Sequence, residues 1–255
     1  DVGFDWAESL KGEAEGWVRL WGPEGNYRLR ADVATDGGQA KVKGELPSEG
    51  VTRIQISSDE LALDQLVAGA PDVVVNGSLE LSSDPKEPEV LGVGIDTKGF
   101  VYDSFHIPPF VASVRAREDG LDIDSVKADY AGGQLSLDGH VEYEGITEIH
   151  AKGEIPRVSE DPNFQQFAEG IEGDAEFDLN IRQTVRGDFA TNGVVRFDDF
   201  KYGAVRAHFL ILEGRIWGDP TRPQIDLQLD GAALRIAGYP IGNGQAVITG
   251  GPARY

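Results

Sequence analysis

The side chains best suited to proton transfer or metal ligation are His106, His140, His150 and His208. No cysteine accompanies them, which removes thiolate nucleophiles, disulfides and Cys-based zinc sites together. The four are not spaced as metal pairs. His140 stands between Gly139 and Val141, and His208 between Ala207 and Phe209, both at outward positions of alternating segments. The Gly-x-Ser-x-Gly, His-Glu-x-x-His and phosphate-loop patterns do not occur. Carboxylates are plentiful, so their pairing says little. Asp122 and Asp124 alternate with Leu121 and Ile123 and read as the wet side of a strand, whereas a glycosidase-like pair needs one acid in a dry pocket. Asp198-Asp199 lacks the spaced oxygens of a calcium loop and reads as a solvated turn. Trp6, Trp17, Trp21 and Tyr27 gather near the N-terminus, where they could stack on a sugar ring or close one end of a core. We expect no catalytic residue, no bound metal and no cofactor, and thus a binding or scaffolding role.

The elements that would position these residues are strands. Leu135-Ser-Leu137-Asp-Gly-His-Val141-Glu-Tyr143 alternates apolar and polar side chains, as do Tyr27-Arg-Leu29-Arg-Ala31-Asp-Val33, Ala175-Glu-Phe177-Asp-Leu179-Asn-Ile181 and Ile225-Asp-Leu227-Gln-Leu229. Each segment has one apolar and one charged face. Turn pairs punctuate them at Asp36-Gly37-Gly38, Glu49-Gly50, Asn76-Gly77, Lys98-Gly99, Gly132-Gly133, Glu144-Gly145 and Asn192-Gly193. Helical signal is confined to Asp59–Val67, after a capping Ser58, and to Asp161–Glu169, with Pro162 at the first helical position.

Internal repetition connects the strands. Aligning Gly37-Gly38-Gln39 with Gly132-Gly133-Gln134 puts Gly44 on Gly139, Glu49-Gly50 on Glu144-Gly145 and Ile54 on Ile149 without gaps, an offset of 134 − 39 = 95 residues that spans 37–66 against 132–161. A second recurrence sets Asp84-Pro85-Lys-Glu-Pro88-Glu-Val90 against Asp219-Pro220-Thr-Arg-Pro223-Gln-Ile225, a turn and a non-donating proline before a strand. We expect one repeat-built β domain over residues 1–255, an elongated and curled antiparallel sheet with very short helices. A β-sandwich or solenoid is the alternative.

Composition bounds the partners. Forty-four acidic against 23 basic residues give a net charge of −21, which repels nucleic acid and anionic headgroups over much of the surface. The sequence contains no apolar run of membrane-spanning length, no signal peptide and no Met, so it is either a processed mature chain or, the reading we favour, a piece of a longer one. A sheet with one apolar face and few helices must cover that face with something. It can fold on itself around a filled core, or curl into a gutter that accommodates an apolar ligand such as a lipid tail.

The Pro-x-Val/Ile strand entrances, the run Gly193-Val-Val-Arg-Phe197-Asp-Asp-Phe200-Lys-Tyr202-Gly203 and the Gly-x-Leu-x-Leu pieces such as Gly77-Ser-Leu79-Glu-Leu81 resemble the TamB family of AsmA-like envelope proteins. The resemblance implies a periplasmic protein of the cell envelope, anchored in the inner membrane in its full-length form. Its β-taco would carry phospholipid acyl chains in a hydrophobic groove, and it would be linked to outer-membrane biogenesis through a barrel-assembly partner of the TamA/BamA kind. The groove lining would then be Tyr27, Leu29, Leu135, Leu137, Val141, Tyr143, Phe177, Leu179, Ile181, Ile225, Leu227 and Leu229. The alternative function is an extracellular adhesin or structural spacer with a closed core.

Overall fold

The computed structural model describes residues 13–66, 74–102, 105–130, 132–167, 169–185, 187–219 and 222–251. Trp6, Val67, Ala168, Pro220 and Thr221 therefore lie outside the described residues. The fold is all-β and antiparallel, and the chain divides into two compact units, Asp1–Glu118 and Asp119–Tyr255.

Unit 1 is a meander. Strands β1 (Ala14–Trp21), β2 (Asn26–Thr35), β3 (Gly38–Pro47), β4 (Thr52–Ala62), β5 (Val74–Ser83), β6 (Leu91–Thr97) and β9 (Phe110–Ala116) pair in that order. A small hairpin of β7 (Phe100–Tyr102) and β8 (Phe105–Ile107) sits between β6 and β9 in the chain. One four-residue helix, α1 (Leu63–Leu66), follows β4. The helix expected from Asp59 is thus shorter at its start, because Leu61 and Ala62 pair with Val75 and Val74 and extend the strand. A register shift between Ser58 and Leu61 marks the bulge that breaks the alternation there.

Unit 2 continues in the same style with β10 (Gly120–Tyr130), β11 (Gly133–Glu142), β12 (Thr147–Ile155), β13 (Ile171–Gln183) and β14 (Phe189–Tyr202). Strand β14 then pairs with both β15 (Val205–Arg206) and β16 (Phe209–Asp219). Both pair with β17 (Arg222–Ile236), and β18 (Tyr239–Gly250) closes the order against β17. A 3₁₀ turn (Val158–Glu160) and helix α2 (Pro162–Phe167) separate β12 from β13. Asp161 caps α2: its carboxylate Oδ1 accepts from the Phe164 N–H at 2.5 Å, with Pro162 at the first helical position.

The 95-residue offset relates two hairpins with the same register. Strands β3 and β11 begin at Gly38 and Gly133, and β4 and β12 at Thr52 and Thr147. Gly44 faces Ile54 in the first hairpin, as Gly139 faces Ile149 in the second. A short helical segment follows each hairpin, at Leu63 and at Val158, again 95 residues apart.

Two expected turns are strand interiors. Asn76-Gly77 lies within β5 and Asn192-Gly193 within β14. The reason is close approach across the ladder. At Gly77 (φ +148°) a Cβ would fall 1.9 Å from the Asp96 carbonyl oxygen, and at Gly193 (φ +154°) 2.0 Å from that of Asp178, so only glycine fits.

The principal core belongs to unit 2. Ile155, Val158, Ala175, Phe197, Phe200, Ala207 and Leu210 are buried together, and Phe164 of α2 meets Phe197 edge to face at 6.4 Å between ring centres. Side chains from β10 and from β12 to β17, Tyr130 and Leu234 among them, converge on this cluster. Tyr130 receives a 2.7 Å hydrogen bond from Asn163 Nδ2, and burial, reinforced by the nearby Asp161 carboxylate, raises its pKa.

Candidate functional site

Residues directly opposite in an antiparallel pair project from the same face, so the register assigns side chains to faces. In unit 1 one row runs Leu20, Leu29, Gly44, Ile54, Leu81, Val93 and Val114 across seven strands. A second, two residues along, runs Val18, Ala31, Val42, Ile56, Leu79, Ile95 and Ala112. Every member is apolar or glycine. Most are half-buried, Val18 at the edge is 70% exposed, and the only fully buried ones are Ala31, Ala112 and Gly44. No cluster of buried core residues is centred on this face among the described residues; the one such cluster lies in unit 2.

Unit 2 repeats the arrangement. One row holds Leu135, Gly153, Phe177, Val195, Leu212 and Leu229, the next Leu137, Ala151, Leu179, Gly193, Gly214 and Leu227, and the third Ile149, Ile181, Thr191, Ile216 and Ile225. The first row meets the core at Phe177, Val195, Leu212 and Leu229, so α2 and the 3₁₀ turn cover that end of the face. The row through Ile149 and Ile225, at the other end, contributes nothing to the core. In the middle row, Gly193 and Gly214 face each other between Leu179 and Leu227 and leave a furrow two strands wide without side chains.

Of the residues nominated from sequence, Leu135, Leu137, Val141, Phe177, Leu179, Ile181, Ile225, Leu227 and Leu229 fall on this one face of unit 2. Leu29 and Tyr27 share the apolar face of unit 1, opposite Gly44 and Leu46, with Tyr27 partly exposed. Tyr143 is placed differently. Strand β11 ends at Glu142, and Tyr143 lies in the turn beyond it, 58% exposed, its N–H donating to the Asp119 carbonyl. Ile54, Ile56, Leu79, Leu81, Val93 and Ile95 were not nominated, although they carry the same period-2 signal. Serine and glycine around them interrupt the contrast between apolar and charged positions.

The N-terminal aromatics do not form one cluster. Trp17 and Trp21 project from the polar face of β1, whereas Tyr27 belongs to the apolar face, because Trp21 pairs with Arg28 and the turn reverses the parity. His140 and His150 stand on the polar faces of β11 and β12, whereas His208, expected on a strand, lies exposed in the bend between β15 and β16. His140 Nδ1 lies 2.7 Å from Asp122 Oδ1, and His150 bridges Asp138 (3.2 Å) on β11 and Asp178 (2.8 Å) on β13. The Asp178 carboxylate, seconded by Asp138, holds the His150 pKa above the ordinary imidazole value of 6.5. Asp198 and Asp199 occupy a bulge in β14, with Asp198 paired to Arg196 at 2.9 Å and Asp199 near His208 at 3.2 Å. Among the described residues, no group of three His, Asp or Glu side chains has a metal-binding arrangement, and no helix is long and apolar enough to cross a membrane. What the site offers is contact area: registered apolar rows without a nucleophile or an acid–base pair among them.

Comparison with family models, with curated proteins and with solved structures found no match to the chain.

Proposed function

We propose that this protein binds lipid acyl chains along the apolar faces of its sheets, as an element of a bridge that moves phospholipid through the cell envelope. The observation that carries the reading is the pair of apolar rows that cross seven strands of unit 1 in register, most of whose members are left partly exposed, with no buried cluster over them among the described residues. A monomer that needed these rows only as a core would be expected to cover them. An acyl chain suits such a surface because hydrophobic contact is non-directional and scales with area. About ten methylenes at about 0.8 kcal/mol each give roughly 8 kcal/mol of gross stabilisation, before the ordering of the chain is counted. The sequence resemblance adds the periplasm, an inner-membrane anchor in the full-length protein and a barrel-assembly partner to the same reading.

The structural-spacer reading draws on the plugged end of unit 2, where α2 fills the space an apolar ligand would otherwise occupy. Native mass spectrometry of protein purified gently from a bacterial host, followed by lipid extraction, separates the two. Acyl-chain binding predicts co-purifying phospholipid at a reproducible ratio. It also predicts loss of that lipid in L137D/L179D, because a charge without a partner on an apolar face is costly, in a variant whose circular dichroism is unchanged. A lipid-free monomer that also ignores an added fluorescent phospholipid would establish the spacer instead.

A further inference from the structure

At the registered positions of β1–β4 the polar face of unit 1 has the opposite sign to the chain, whereas β5 and β6 carry Glu80 and Asp96 on that face. Every Lys and Arg between positions 14 and 62, namely Arg19, Arg28, Arg30, Lys41, Lys43 and Arg53, projects from one face of β1–β4, behind the apolar rows. The carboxylates sharing those registered strand positions are Glu15, Asp32 and Glu45, so cations outnumber them two to one in a chain of net charge −21. All six cations are exposed, and none forms an ion pair with a described residue. Arg19, Arg30 and Lys43 stand directly opposite one another on three successive strands. Like charges in that position raise the energy of a folded sheet, so folding alone gives no reason to collect them.

The same face holds a hollow of about 410 Å³ bordered by Trp21, by the cations Arg28, Arg30, Lys43 and Arg53, and by two carboxylates, Glu45 and Glu80. Guanidinium groups present planar donor forks that match phosphate oxygens. The Trp21 ring carries Arg19 at 5.4 Å and Arg30 at 5.8 Å, and Trp17 on the same face is 53% exposed. Exposed tryptophan beside a cation array is a composition that rests at the headgroup level of a bilayer. Single-stranded nucleic acid would need free aromatic faces for its bases, and guanidinium groups already occupy that of Trp21.

We propose that the polar face of β1–β4 is a docking surface for an anionic lipid bilayer, with a lipid phosphate seated in the hollow between Trp21 and Arg53. This surface is independent of acyl-chain binding, which uses the other face of the sheet.

The test is co-sedimentation of the full chain with vesicles of phosphatidylcholine alone or with about 30% phosphatidylglycerol. Binding is expected only to the anionic vesicles, and it should weaken as salt rises from about 50 to about 300 mM. R30A/K43A should bind roughly tenfold more weakly or worse while melting no lower than the parent, since it relieves the row of like charges; R28A/R53A repeats the test at the other side of the hollow. K152A, which removes an exposed cation from the polar face of β12, should bind as the parent does. L137D/L179D should also keep its vesicle binding, so failure of the acyl-chain reading and failure of this one give different results. Equal binding to neutral vesicles, insensitivity to salt, or unaltered binding by both double variants would overturn the proposal. Displacement by about 10 mM inorganic phosphate at constant ionic strength would reduce the hollow to a free-phosphate site. Tighter binding of a thymidine oligonucleotide than of anionic vesicles would make the face a nucleic-acid surface.

Discussion

His150 shows how a single side chain couples three strands. Its ring touches Asp138 on β11 and Asp178 on β13, and both contacts strengthen when the imidazole is protonated. Because its folded pKa lies above the unfolded value of 6.5, the stabilisation is complete below about pH 6.5 and fades as pH rises through the folded pKa. The difference in melting temperature between parent and H150Q should therefore be larger at pH 6 than at pH 9, as read by circular dichroism. A gap that stays constant across that range would show that the contact does not depend on protonation. The parity of one position also indicates how much of the site a reader of the sequence could see. Leu135, Leu137, Phe177 and Leu179 share a face because each is flanked by polar neighbours, and that contrast is visible in the sequence. Trp17 and Tyr27 look like neighbours in sequence but point to opposite faces, because the parity depends on how many residues the turn between β1 and β2 consumes. The six cations on one face were hidden by the net charge: a sum over the chain says nothing about segregation by face.

At the scale of the element, the strands were legible and their glycines were not. Period-2 alternation located β2, β11, β13 and β17, and the capping residues located α2, since both signals are local. Asn76-Gly77 and Asn192-Gly193 read as turns because Asn-Gly is the usual hairpin signal, whereas here the glycine admits a neighbouring strand's carbonyl. The expected helix from Asp59 failed for a related reason: cross-strand pairing of Leu61 and Ala62 outweighed a local cap. Gly193 tests this account. G193A should destabilise unit 2 by about 1–3 kcal/mol, since it sets a methyl group into the Asp178 carbonyl and disfavours the positive φ. Asn192→Ala, its exposed neighbour in the same strand, should cost far less. Urea denaturation of the two variants measures the contrast, and equal stability would mean that the ladder shifts to admit a side chain at no cost.

At the scale of the whole molecule, the two units share a hairpin register but differ in how their apolar faces are covered. Unit 2 has a buried cluster from Ile155 to Leu210, with α2 seated on it, whereas the rows of unit 1 have no such cluster among the described residues. Local stability follows buried apolar contact, so amide exchange in the ligand-free protein should be fastest along β1–β6 and slowest around Ile155, Ala175 and Phe197. A ligand that binds the folded state protects the segments it covers by mass action. Added phospholipid should then slow exchange at Ile54, Leu79 and Ile95, and along the open row of unit 2 at Leu137 and Leu179, and leave the segments around Ile155, Val158 and Phe197 nearly unchanged. Hydrogen–deuterium exchange by mass spectrometry resolves the two regions in one experiment. Uniform protection that extended to the buried cluster of unit 2 would point to a general compaction rather than occupancy of the apolar rows. Slow exchange of unit 1 before any lipid is added would mean that its face is already covered, and acyl-chain binding would have to give way to the spacer.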